Sequence, residues 1–128
     1  MRLLLDTHAF IWWSSEPEML PKKVLAAFED SENELTLSVA SIWEMQIKVQ
    51  LGKLDITEPL KDLIAIHQKE KDLQILPIFL NHVLALEKLP VHHRDPFDRI
   101  LMAQASAERL IIVTKDQIFK EYPVRMFW

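Results

Sequence analysis

The chain has no cysteine. That removes disulfides, thiolate nucleophiles, cysteine-based zinc sites and iron–sulfur clusters at once, and it fits a cytoplasmic protein. Glycine is almost as scarce, with Gly52 the single example. Loops that cradle nucleotide phosphates need several glycines, because their backbone must approach the phosphate oxygens closely. No nucleotide cofactor held in that way is expected. No apolar run approaches the roughly 20 residues of a membrane span. Met1 leads straight into an apolar run, without the basic segment and small-residue cleavage site of a signal peptide. A basic excess is missing too. The formal net charge is −4, so nucleic acid would have to be met by a local basic patch or a bound metal.

What remains has a globular balance, with 49% hydrophobic and 27% charged residues. A chain of 128 residues reads as one domain, 1–128, able to bury roughly two thirds of its unfolded surface. Leu3, Leu4 and Leu5 form a short apolar run that predicts a strand buried on both faces, and it ends in Asp6. In open parallel sheets ligands bind beyond the carboxyl ends of the strands, where strand order reverses. Asp6 is either a working carboxylate there or the N-cap of the next helix.

Along the chain, helices are predicted over 9–13, with Thr7 as a cap, and over 21–29, 38–51, 80–88 and 97–108. Another begins near Pro59, and a helical turn or two covers 116–122. Strands are predicted over 34–37, 73–78, 110–113 and 124–127. Pro77 inside the third strand would make it an edge strand. The alternation gives an α/β fold: a mainly parallel sheet of about five strands, flanked by helices, in a single domain.

Four further acids stand out. Asp116 follows the apolar run 110–113, as Asp6 follows the first; two such acids converge only if their strands are neighbours. Its alternative is a place in the first turn of a helix, where acids suit the macrodipole, with Thr114 as a cap or a supporting hydroxyl. Asp95 precedes Pro96 and reads first as a helix cap, which leaves Asp98 at the third helical position, suited to a cap or a metal ligand. Glu44 shares a polar stripe with Ser41 and Lys48; spacing alone favours an i,i+4 salt bridge with Lys48 on a solvated face. Carboxylates without thiolates point to hard cations, Mg²⁺ or Mn²⁺, which would relieve their mutual repulsion and could drive phosphodiester hydrolysis.

The histidines show no i,i+4 pair; His67 reads as a core histidine and His92-His93-Arg94 as a cationic polar loop. Trp12 and Trp13 cannot share one helix face, so one of them is a candidate for a partner surface.

At these residues the chain resembles a PIN domain, specifically the small VapC-type toxins of toxin–antitoxin pairs. The matching pieces are Leu4-Leu5-Asp6-Thr7-His8, Ser38 through Trp43-Glu44, His93-Arg94-Asp95-Pro96-Phe97-Asp98-Arg99 with the residues to Ala105, and Val113-Thr114-Lys115-Asp116. The resemblance implies a metal-dependent ribonuclease, restrained by an antitoxin and paired as a homodimer. By position it makes Asp6, Glu44, Asp98 and Asp116 the acidic set, with Asp6, Asp98 and Asp116 on the metal. Asp95 and Thr114 would support them. Lys48, Arg94, Arg99 and Lys115 are candidates for the RNA backbone. Two alternatives stand beside this reading. One is a phosphatase of the haloacid-dehalogenase type, although His8 occupies the place of its second acid. The other is a binding module without catalysis.

Overall fold

A computed structural model describes residues 1–91 and 94–128. Five strands form one sheet: β1 (Arg2–Leu5), β2 (Glu34–Ser38), β3 (Gln74–Leu76), β4 (Ile111–Val113) and β5 (Arg125–Phe127). Six α-helices accompany them: α1 (Thr7–Ser15), α2 (Lys22–Glu29), α3 (Val39–Gln50), α4 (Leu60–Lys71), α5 (Leu80–Ala85) and α6 (Pro96–Glu108). The order across the sheet is β3-β2-β1-β4-β5, and every pairing is parallel. The α/β expectation, its strand count and its single domain-like sheet are met.

Leucine at three successive positions of β1 is explained by the two core layers. Leu3 and Leu5 pack with Leu35, Leu37, Phe10 and Val24 on one side. Leu4 faces Leu101, Met102 and Ile112 on the other. A parallel sheet covered on both faces needs apolar side chains at every position, where a one-sided sheet would alternate. Each fully buried leucine contributes on the order of 1.5–3 kcal/mol.

The order of the strands matters most. From β1 the chain proceeds outward through β2 to β3, then returns to β4 on the other side of β1. The reversal lies between β1 and β4, where Leu5 stands opposite Val113. The Asp6 N–H donates to the Val113 carbonyl at 3.1 Å and carries the pairing one residue further.

Some boundaries differ from the sequence reading. β3 is an edge strand, but it stops at Leu76. Pro77 lies beyond it, and its carbonyl accepts from the Gln104 side chain. Asp6, not Thr7, is the N-cap of α1; its Oδ1 accepts from the Ala9 N–H. The Ser38 cap and the left-handed Gly52 after α3 stand as expected. His92 and His93 of the cationic loop lie outside the described residues.

Candidate active site

Asp6 sits at the switch point with only 8% of its surface exposed. Three groups hold it. The Ala9 N–H donates to Oδ1 at 2.7 Å. Thr114, wholly buried after β4, hydrogen-bonds to the carboxylate. His8, on the first turn of α1, adds favourable charge. Burial nevertheless wins and pushes the Asp6 carboxyl above the ordinary carboxylate range, with the Glu44 charge pushing the same way. A cation is the natural counterpart of such a group, because it restores what burial removes.

Thr114 joins the two strand-end acids. Its Oγ1 accepts from the Asp116 N–H at 3.0 Å while its side chain bonds to Asp6. Asp116 is exposed, and its Oδ1 caps the 3-10 turn Gln117–Glu121 by accepting from the Ile118 N–H. It therefore serves as a cap one residue before that turn, not within it.

Glu44 reaches the same region from α3. The Thr7 hydroxyl donates to Glu44 Oε1 at 2.6 Å, and Lys48 Nζ stands 3.1 Å from Oε2. The salt bridge predicted by spacing exists, but not on a solvated face. Ser41 is wholly buried and the Glu44 side chain keeps only 13% exposure, so this stripe turns inward. Thr7 was invisible as a partner for Glu44, because 37 residues separate the two and only packing of α1 on α3 brings them together. An acid adjoined by a hydroxyl one helix away leaves no local pattern.

Asp98 occupies the first turn of α6 and is half-buried. The Trp43 ring packs edge-on against Phe97, with centroids 5.2 Å apart, so the residues that follow each ring, Glu44 and Asp98, lie on neighbouring helices. Asp95 is the helix cap, accepting from the Phe97 and Asp98 N–H groups. Among the described residues no three acids or histidines already stand close enough to enclose an ion. The oxygen-only donor set suits a hard divalent cation, and Asp6 is the buried charge that needs one.

The four cations read from sequence fare differently. Lys48 neutralises Glu44. Lys115 lies over the Trp12 ring at 5.6 Å. Arg94 is exposed. Arg99 is half-buried, and its guanidinium donates to the Pro90 and Leu86 carbonyls. Arg99 thus anchors the loop before α6, a structural task that proximity in sequence did not suggest.

A family model for the PIN domain matches residues 3–124. The chain belongs to the PIN domain family. Ribonuclease VapC22 of Mycobacterium tuberculosis is 28% identical over 122 residues, covering 94% of this chain and 91% of that protein. Among solved structures, VapBC2 from Rickettsia felis, bound to a DNA fragment from their promoter, superposes with a TM-score of 0.77 at 18% identity. The match covers 99% of this chain and 98% of that one. DNA-bound VapBC from Salmonella typhimurium gives 0.71 at 14% identity, covering 99% and 97%. FitAcB from Neisseria gonorrhoeae gives 0.65 at 20%, covering 98% and 96%. The PIN fold is thus common ground. No helix among the described residues is long and apolar enough to cross a membrane.

Proposed function

We propose that this PIN domain is a Mg²⁺- or Mn²⁺-dependent endoribonuclease and the toxin of a toxin–antitoxin pair. The observation that carries the reading is Asp6: a buried carboxylate at the switch of a parallel sheet, tied through Thr114 to a second strand-end acid. The ribonuclease VapC22 among its relatives and the toxin–antitoxin complex from Klebsiella pneumoniae among its fold neighbours support it.

Asp6 and, with side-chain movement, Asp98 and Asp116 would hold the metal. When bound, a divalent ion supplies water activation and stabilisation of the leaving oxygen in phosphodiester hydrolysis. Glu44, held by Thr7 on one oxygen and Lys48 on the other, would orient the attacking water. Lys48, Arg94 and Lys115 face the phosphate backbone in this reading. The test is cleavage of single-stranded RNA by the purified protein with Mg²⁺. Cleavage that stops on chelation supports the reading, and cleavage that survives chelation contradicts it.

Thr7→Val keeps the shape of a buried side chain and removes the hydroxyl. A lost hydrogen bond to a charged group is worth about 1.5 kcal/mol, so kcat should fall roughly ten-fold with KM little changed. Steady-state kinetics on a short RNA reads the split.

One alternative is a PIN-fold binding module, since among the described residues no three acids or histidines stand close enough to hold an ion. It predicts RNA binding without metal-dependent cleavage in the same assay. The haloacid-dehalogenase alternative gains nothing from the family match, and His8 stands exposed where its second acid belongs.

The reading also includes a second copy of the chain. Trp43 (59% exposed), Phe79 (49%), Leu80 (73%), Val83 (47%) and Leu84 (62%) leave a broad apolar face on α3 and α5. Between them opens an apolar hollow of about 230 Å³ lined by Ala40, Trp43, Ile78, Val83, Pro96, Phe97 and Ile100. Paired about a two-fold axis, such a face covers itself. Trp43→Lys should weaken a dimer by about a hundred-fold, a loss typical of a central aromatic anchor, as read by sedimentation. An unchanged mass distribution would contradict this assignment.

A further inference from the structure

Beside the acids lies a partly exposed tryptophan, Trp12, that the proposed chemistry does not use. Trp12, one helical turn after His8 on α1, is half-buried. Its ring centroid is 5.9 Å from that of exposed His8 and 5.9 Å from that of Trp128, both at tilted angles. Lys115, exposed and flanked by Thr114 and Asp116, holds its ammonium over the Trp12 ring at 5.6 Å. Trp13, next along, faces the opposite way into the core, against Phe28 and His67. Of the two adjacent tryptophans, only Trp12 remains at the rim.

Trp12 packs one side against the core, and the ammonium over its ring makes a weak contact that a ligand can displace. The pair is matched to a ligand that offers both a π-face and a negative charge. A nucleotide does so: its base replaces the ammonium on the indole, and its phosphate takes the ammonium. Lys115 is exposed on a flexible stem and can make that exchange. The position is suitable as well. His8 is two residues from Asp6, and Lys115 one residue from Asp116, so a base on Trp12 belongs to a nucleotide close to the bond presented to the acids.

We propose that Trp12, with His8 and Lys115, forms a stacking subsite for one unpaired nucleobase next to the scissile phosphate. This rests on the ribonuclease reading and adds how single-stranded RNA is selected. Stacking tolerates any base, so the subsite selects for a base out of a duplex rather than for its identity. It also offers a local answer to a net charge of −4, because affinity comes from a ring and one placed cation.

The experiment is a double-mutant cycle on binding. A labelled eight-nucleotide oligouridylate, and the same strand with one central abasic position, are titrated by anisotropy in chelator at low salt. The proteins are the wild type, Trp12→Leu, Trp12→Phe and Lys115→Gln, each checked for folding by circular dichroism. Trp12→Leu should weaken binding of the intact strand roughly ten- to a hundred-fold, the range for one lost base stack. It should weaken the abasic strand far less, and Trp12→Phe should recover much of the affinity. Lys115→Gln should weaken both strands alike, since it meets the phosphate. Equal losses on both strands for Trp12→Leu, or none, would overturn the subsite and leave Trp12 as packing. Coupling without any Mg²⁺-dependent cleavage would keep the subsite and remove the ribonuclease reading. Cleavage without coupling would do the reverse.

Discussion

Asp6→Asn should abolish metal-dependent RNA cleavage and make the metal-free protein more stable. The loss of activity, about a thousand-fold or more, follows from removing the one buried charge around which the site is arranged. The gain in stability follows from burial. The native carboxyl is pushed above the ordinary value of 3.8, so the folded state holds its proton more tightly than the unfolded state does. Stability from this group is therefore fully present at low pH. It is lost as pH rises from the unfolded value through the raised native one. At neutral pH the wild type carries the cost of desolvating the Asp6 carboxyl, and the asparagine does not. Asparagine also caps a helix as well as aspartate does, so the Ala9 bond persists. A melting point higher by roughly 2–5 °C is expected for Asp6→Asn, and the gap should close as the pH approaches 3.8. Added Mg²⁺ should stabilise the wild type and leave the variant unmoved. Calorimetry with and without metal, across pH, reads all three.

His82→Ala should be the most destabilising single change outside the hydrophobic layers. His82 is completely buried. Its Nδ1 accepts from the Phe79 N–H at 3.0 Å, which starts α5, and its Nε2 lies 3.7 Å from a Glu108 carboxylate oxygen. Gln104, equally buried, ties the same loop by donating to the Pro77 carbonyl at 3.1 Å. Truncation leaves a cavity and an unpaired Phe79 N–H together, a loss of about 3 kcal/mol and a melting point lower by roughly 10 °C. Because α5 carries Leu80, Val83 and Leu84, self-association through that face should weaken in parallel. Denaturant unfolding decides it, and a change under about 1 kcal/mol would show that this polar latch does not hold α5.

The sheet was legible because its signals are local. Leu3-Leu4-Leu5 and Ile111-Ile112-Val113 are continuous apolar runs, and only strands covered on both faces need them. Ser38 and the Asp95-Pro96 pair announced α3 and α6 through capping chemistry. Helix ends were harder. With one glycine in the chain, the left-handed stops after α4 and α6 fall to Asp72 and Arg109, which carry no such signal. The strand-end acids were legible as candidates, since an acid after a buried run is conspicuous. What tethers them was not. Thr7 meets Glu44, and Thr114 joins Asp6 to Asp116, through contacts between distant elements. The spacing of Ser41, Glu44 and Lys48 suggested a solvated face for the same reason. Periodicity reports that a stripe exists, and only packing decides which way it turns.

In the proposed site Asp6 marks the place of a divalent ion. A crystal grown with Mn²⁺ and measured near the manganese absorption edge tests it most directly. An anomalous peak is expected about 2–2.3 Å from an Asp6 oxygen, with Asp98 or Asp116 drawn toward it, and it should be lost in Asp6→Asn. Crystals saturated with Mn²⁺ that show no ion at Asp6, or one bound elsewhere on the surface, would contradict it.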